Sequence, residues 1–142
     1  MGNEVIVSEG NTRDQISRML GEMKSEHEQL FQTVNEIRDA ITANDVTAAK
    51  RHLMQLQIHQ QSHFEHEVGL MERYDYPHRE VHKQTHDSLI GALHSINMLI
   101  DLENLRRLSV ELAVYLENSL KHVVEVDRPF QEFLSVFTDG DG

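Results

Sequence analysis

Histidine is the residue type whose number and spacing first suggest chemistry in this sequence. The 142-residue chain contains ten histidines, and most of them lie between positions 52 and 94. His63 is followed four residues later by Glu67, and His82 is followed four residues later by His86. Side chains four residues apart share one face of a helix. Each pair therefore has a spacing suited to metal ligands.

Four segments are predicted to position these side chains. In each of them apolar residues recur every three or four positions, as in helices that pack along a seam. The segments run from Ile16 to Ile41, from Ala49 to Tyr74, from His82 to Ile100 and from Leu105 to Val126. Because short connections make neighbouring helices antiparallel, the pattern predicts an all-α fold, an up-down-up-down four-helix bundle. We expect a single domain over 1–142, with a helical core over about 12–130 and loose ends.

Capping residues and one proline place the predicted helix boundaries. Asn44 or Asp45 is expected to cap the second helix, and Asp101 the fourth. Pro77 suits the first turn of the third helix, where a missing N–H is not needed.

Polar residues interrupt the apolar seams at seven positions: His27, Gln60, His63, Glu67, His82, His86 and His122. Burying such groups without partners costs a few kcal/mol each, so they must satisfy one another or bind something. Their distances from the predicted turns place them near one level of the bundle. Asp127 is five residues from His122, about 140° around a regular helix. It can reach that level only through the length of its side chain or a local helix distortion.

Five imidazoles and two carboxylates form a donor set suited to iron. Two carboxylates can bridge two metal ions, while the imidazoles fill most of the other positions and at least one position stays open. The alternative is a histidine-rich bundle whose buried histidines only bond one another. Four helices that agree in face and height favour the metal centre.

These residues resemble the hemerythrins, and the bacterial hemerythrins in particular. The family pattern is followed by His27, His63-Phe64-Glu65-His66-Glu67, Met71, Tyr76-Pro77, His82-x-x-x-His86, His122-Val123 and Asp127. The match spans about residues 20–130, nearly the whole chain.

The resemblance implies a role for each residue of the motif. Three histidines would hold one iron: His82, His86 and His122. Two would hold the other, His27 and His63, and two carboxylates would bridge both irons together with an oxo or hydroxo group, Glu67 and Asp127. Dioxygen, or another small diatomic or anionic ligand, would bind at the open position of the two-histidine iron.

The chain departs from the family pattern in two places. Family members often carry a Trp and then a large apolar residue where this chain has Asn118 and Ser119, and the chain has no Trp. Ser119 and Val123 are expected to line the ligand pocket, so its wall would carry a hydroxyl. The family also tends to carry Asp three residues before the first ligand histidine, where this chain has Lys24.

Composition and missing motifs exclude several other classes. A net charge of −11 argues against a nucleic-acid or membrane partner. The absence of cysteine excludes thiol nucleophiles and iron–sulfur clusters. The sequence contains neither the Glu-x-x-His of ferritin-like di-iron proteins nor the His-Glu-x-x-His of zinc proteases. The first ten residues lack a secretion signal and no apolar run could span a bilayer, so a cytoplasmic location is expected.

Three functions fit such a centre. The leading one is dioxygen binding for storage, delivery or sensing; the others are a redox enzyme acting on peroxide or nitric oxide, and a regulatory module of a signalling system. The ligands alone do not separate them. Apolar walls around the open position favour reversible dioxygen binding, and polar walls favour redox turnover.

Other polar residues near the seam receive structural interpretations. Gln60 is expected to bond His63 or a nearby water, and His59 to be partly buried. Four further histidines are expected at the surface: His52, His66, His78 and His94.

Overall fold

The computed structural model describes residues 8–101 and 103–139, with side chains described for 13–101 and 103–136. Four long α-helices follow one another: α1 Ser8–Thr42, α2 Val46–Arg73, α3 Arg79–Asp101 and α4 Leu105–His122. A π-helical segment, Val123–Asp127, joins α4 to α5, Arg128–Asp139. Over these two ranges the chain forms no β-strand, so the predicted all-helical bundle is confirmed. None of the helices described is long and apolar enough to cross a membrane.

The turns confirm one predicted cap and correct the other boundaries. The Asp45 carboxylate accepts a hydrogen bond of 3.0 Å from the backbone N–H three residues on and caps α2. The prediction for Asp101 was wrong, because Asp101 is the last residue of α3 and Asn104 caps α4. Between them Glu103 adopts a positive φ of 55°, a conformation that ends a helix. Pro77 lies in the preceding turn, two residues before α3 begins.

Buried apolar side chains form two clusters. The larger cluster lies near the α1–α2 and α3–α4 turns and contains, among others, Ile37, Leu53, Leu56, Ile96 and Leu112. The smaller cluster lies near the α2–α3 turn and contains Ile16, Met23, Leu70, Met71, Tyr76, Phe130 and Leu134. The buried histidines and carboxylates lie along the chain between residues of the two clusters. They form a polar layer with apolar packing on both sides.

The helical core extends beyond the predicted end near residue 130. α5 continues to Asp139, and Phe130 and Leu134 are fully buried in the smaller cluster. The predicted end was therefore too early. The π-helical segment also moves the buried face from the expected Val126 to Asp127.

Three polar contacts are spread along α1 and α2: Gln15–Arg73 at 3.5 Å, Glu26–His63 at 2.8 Å and Glu36–His52 at 2.9 Å. They join the early part, the middle and the late part of α1 to α2. The two helices are therefore in contact over most of their length.

Truncation of Leu134 should show that α5 is part of the core. Leu134→Ala removes a fully buried side chain, so we expect the free energy of unfolding to fall by about 2–5 kcal/mol. Val136→Ala is the matched control, because Val136 is 62% exposed and should change stability by less than about 0.5 kcal/mol. Urea unfolding followed by circular dichroism measures both. Equal, small effects would contradict the packing of α5.

Candidate metal centre

Seven buried polar side chains meet in the layer between the two apolar clusters. They are all seven of the predicted metal ligands: His27, His63, Glu67, His82, His86, His122 and Asp127. Glu67 and Asp127 are the most deeply buried, at 0% and 1% exposure. The structure thus brings the seven residues together, and their binding of a metal stays a prediction.

The seven side chains divide into two groups that share both carboxylates. One group contains Glu67, His82, His86, His122 and Asp127, and the other contains His27, His63, Glu67 and Asp127. Within each group one ligand atom per residue lies within 4.8 Å of all the others. Metal–nitrogen and metal–oxygen bonds are about 2.0–2.2 Å long, so opposite ligands of one ion lie about 4–4.4 Å apart. Each group therefore has the dimensions of one metal site.

Glu67 faces imidazoles of both groups with a single oxygen. Its Oε1 lies 2.9 Å from Nε2 of His86 and 3.5 Å from Nε2 of His82. The same oxygen lies 3.6 Å from Nε2 of His63. His63 and Glu67 lie one turn apart on α2, and His82 and His86 one turn apart on α3, as the four-residue spacings predicted.

Asp127 reaches the layer through a local distortion of the helix. Its Oδ1 lies 3.0 Å from Nε2 of both His82 and His122, and its Oδ2 lies 3.1 Å from Nε2 of His27. In a π-helix the hydrogen bonds run over five residues, so side chains five apart return to one face. The segment Val123–Asp127 has this form. It resolves the 140° misalignment expected for His122 and Asp127.

Several atoms of the layer make no well-formed hydrogen bond with any described residue. They are Glu67 Oε2, His82 Nε2, His122 Nε2 and both Asp127 carboxylate oxygens. The Asp127 oxygens nevertheless lie about 3.0 Å from imidazole nitrogens, so the atoms converge on a shared space without being aligned for hydrogen bonds. A buried polar atom without a partner costs about 1–3 kcal/mol, and a bound cation would remove that cost. The cluster could therefore hold a metal ion.

The two carboxylates stay ionised in this layer. Burial would raise the pKa of Asp127, but the imidazoles of His122, His27 and His82 outweigh burial and hold that pKa below its ordinary range. Burial also raises the pKa of Glu67, but the imidazoles of His82 and His86 outweigh burial and lower that pKa below its ordinary value. Two negative charges therefore lie inside the bundle at neutral pH, and they favour a cation.

The histidines respond to these charges in different ways. Burial lowers the pKa of His82, but Asp127 and Glu67 outweigh it and raise the pKa to about 9. For His86, burial prevails and lowers the pKa. Without a metal ion, His82 is therefore protonated at pH 7 and His86 is neutral.

Two contacts that the sequence analysis missed hold ligand rings in place. The ring of Phe64 stacks on that of His86, with centroids 3.8 Å apart and planes 6° from parallel. Glu26 places Oε1 2.8 Å from Nδ1 of His63. Phe64 lies within the predicted motif and Glu26 directly precedes its first histidine, but the helical period does not say towards which neighbour such flanking residues turn.

A small cavity lies beside the two-histidine group. His27 and His63 form part of its wall, as do His122, Asp127, Ser119 and Val123, and a ligand-binding role for Ser119 and Val123 stays a prediction. The space open to the centre of a water-sized molecule is about 20 Å³, and about 10–15 Å³ suffices for one water. The cavity therefore has room for one very small molecule.

One corner of this cavity is polar. The Tyr115 hydroxyl donates a hydrogen bond to Oε1 of Gln60, so the partner of Gln60 is Tyr115 rather than His63. Burial raises the pKa of Tyr115 to about 12, against the opposing effect of Ser119, and the hydroxyl stays protonated. Ser119 Oγ is buried without a well-formed hydrogen bond among the described residues. Within the described chain, the Ser119 hydroxyl therefore makes no hydrogen bond to a backbone carbonyl of its own helix.

The remaining histidines lie outside the layer. His78 and His94 are exposed, and His59 is partly buried, as predicted. His52 and His66 are half-buried rather than exposed, because each contacts a glutamate of α1. The surface prediction for these two was therefore wrong.

Comparison with known proteins assigns no family. No protein-family model, curated protein or solved structure matches the chain. The function must therefore be argued from the centre itself, from its two ligand groups, their shared carboxylates and the adjoining cavity.

Metal binding should release protons near neutral pH. The pKa of His82 rises from 6.5 to about 9 in the folded, metal-free chain. Its proton therefore stabilises the fold fully below pH 6.5, and this contribution is lost as the pH rises through 9. A metal ion binds an imidazole nitrogen only when that nitrogen carries no proton, so binding at His82 must displace this proton. We expect the affinity for Co²⁺ to rise up to about tenfold per pH unit from pH 7 to 9 and then to level off.

Titration with Co²⁺ in competition with a chelator measures this dependence, and calorimetry in two buffers counts the protons. His94→Gln is the control, because His94 is exposed and should leave the profile unchanged. An affinity that stays constant between pH 7 and 9 would contradict the protonation of His82.

Proposed function

We propose that this chain is a hemerythrin-like non-haem di-iron protein that binds dioxygen at one open iron position, for storage, delivery or sensing. The observation that carries the proposal is the pair of ligand groups that share Glu67 and Asp127. One group has three histidines and the other has two, so the second would leave a position free for a ligand on a bound iron. Imidazole and carboxylate donors suit iron. The iron pair would supply the electrons that dioxygen binding requires.

The position of the cavity supports a ligand on the two-histidine side. It lies against both histidines of the group with fewer donors, His27 and His63, but against only one histidine of the other group, His122, and its size suits a diatomic molecule or a small anion. Much of its wall is apolar, with Val34, Phe64 and Leu89 among its residues. Such walls exclude water and so slow the protonation and loss of a bound ligand.

We also infer that the helices alternate in direction, as in the hemerythrin bundle. In the three contacts between α1 and α2 the residue number rises along α1 from 15 to 36 while its partner falls along α2 from 73 to 52. Antiparallel helices give this pattern. Connections of three to five residues between successive helices favour the same arrangement for the other pairs.

Turnover of peroxide is the second candidate function, and the polar corner of the cavity favours it. The Ser119 hydroxyl lies beside the Tyr115 hydroxyl and lowers its pKa, but it makes no well-formed hydrogen bond in the described chain, so it could turn to donate one to a ligand. A hydrogen bond of this kind assists protonation of the bound ligand, and protonation favours redox turnover over reversible binding.

Iron content tests the proposed centre directly. We expect two irons per chain in protein produced in iron-rich medium, measured by elemental analysis. Because Glu67 is shared by both groups, Glu67→Ala should release at least one iron and lower stability. Each uncovered imidazole would then cost about 1–3 kcal/mol.

Glu65→Ala is the matched control, since Glu65 lies on the same helix and is exposed; it should retain both irons. One metal per chain, or zinc alone, in the wild-type protein would refute the di-iron centre. A Glu67→Ala protein with two irons and an unchanged visible spectrum would refute the bridge.

Ser119→Leu distinguishes the carrier from the redox enzyme. The substitution replaces the hydroxyl with an apolar wall, so we expect autoxidation of the oxygenated protein to slow by about 2- to 10-fold, the equivalent of one hydrogen bond of about 0.5–1.5 kcal/mol. Decay of the visible spectrum in air after reduction gives the half-life. Asn118→Leu is the control, because Asn118 is exposed and does not line this cavity. Equal half-lives for Ser119→Leu and wild type, with iron intact, would favour simple dioxygen carriage.

A further inference from the structure

One predicted ligand, His63, meets a carboxylate at the ring nitrogen that faces away from the centre. Glu26 Oε1 lies 2.8 Å from Nδ1 of His63 and 3.2 Å from Nδ1 of His66. The side chain of His63 is 2% exposed and that of Glu26 is 28% exposed. The partly exposed carboxylate of Glu26 on α1 thus contacts two imidazoles that lie about one turn apart on α2.

This contact determines which nitrogen of His63 can bind a metal. An ionised carboxylate only accepts hydrogen bonds, so Nδ1 of His63 must carry the proton. Nε2 then has a free electron pair, and it lies 3.6 Å from Glu67 Oε1 and 3.0 Å from His27 Nε2, inside the layer. Glu26 therefore selects the tautomer of His63 that a metal site requires.

The three-histidine group lacks equivalent support at two of its rings. Nδ1 of His82 and Nδ1 of His86 are buried and find no hydrogen-bond partner among the residues described. By contrast, Glu26 places a carboxylate beside His63, in the group that has fewer imidazoles. A carboxylate on a ligand histidine orients the ring and increases its basicity.

We propose that Glu26 is a positioning residue that strengthens metal binding by His63 and makes the two metal positions unequal in metal affinity and in ease of oxidation. This inference rests on the proposed metal centre, but it does not depend on dioxygen as the ligand. Removal of the charge weakens the hold of His63 on its metal and leaves the three-histidine position unchanged. The position held by His27 and His63 also becomes harder to oxidise, because a nearby negative charge no longer stabilises the higher oxidation state.

Co²⁺ titration of the metal-free protein tests the proposal without any oxygen chemistry. In Glu26→Gln we expect one of two binding steps to weaken about 10- to 100-fold, with the other step within about twofold of wild type. Glu22→Gln is the matched control, because it removes the same charge one turn earlier on α1. Glu22 lies 3.9 Å from His66, and no contact joins it to a predicted ligand.

Proton NMR of the Co²⁺ protein gives a second readout that a merely structural role would not move. Ligand imidazole N–H protons appear there as strongly shifted resonances that vanish in D₂O. One of them should shift or exchange faster in Glu26→Gln and stay unchanged in Glu22→Gln. This change identifies the hydrogen bond itself rather than a loss of folding.

The outcomes separate this inference from the proposed function. Equal weakening of both steps in Glu26→Gln, or no weakening with unchanged resonances, overturns the role of Glu26. A wild-type protein that binds no Co²⁺ overturns the inference together with the metal centre. A selective loss in Glu26→Gln supports the inference, and it does so even where the iron-loaded protein fails to bind dioxygen.

Discussion

Two carboxylates buried between four helices are the constraint to which the rest of this structure responds. Glu67 and Asp127 are ionised and almost wholly enclosed, a state that is costly unless positive or polar groups surround them. Imidazoles from each of the four long helices surround the two carboxylates and supply these groups. The carboxylates in turn are polar partners for the buried imidazoles. An apolar cluster on each side closes the layer from water, so the packing of the bundle and the electrostatics of its centre depend on each other.

Much of this arrangement follows from periodicity. The apolar seams predict the helices, and polar residues on those seams predict the layer, because a buried face and a ligand face coincide when the spacing is three or four. The period fails where a turn is not regular: the buried face shifts at Asp127, and α4 is capped by Asn104 rather than Asp101. It also fails for residues beside the seam. The directions of Glu26 and Phe64, and the pairing of Gln60 with Tyr115, depend on how neighbouring helices meet.

The centre is unequal in more than its count of histidines. The carboxylate of Glu26 and most of the cavity lie on the His63 side, while the Nδ1 atoms of His82 and His86, which have no hydrogen-bond partner among the described residues, lie on the other. The same side thus combines an open space with a histidine ring that a carboxylate orients. Its wall is also divided, since apolar side chains that favour reversible binding share it with the Ser119 and Tyr115 hydroxyls. Under the proposed function, the balance between reversible binding and redox turnover would therefore depend on a few side chains of this wall.

The π-helical turn shows how such a centre tolerates a change in chain length. One widened turn absorbs one extra residue, so His122 before it and Phe130 after it still face the interior. A regular helix would place the inward-facing carboxylate four residues after His122, the spacing found in the pairs on α2 and α3. Loss of one codon between His122 and Asp127 would therefore convert the π-helical segment to a regular helical turn while preserving the inward faces on both sides. Evolution could shorten the chain here in one step without rebuilding the bundle.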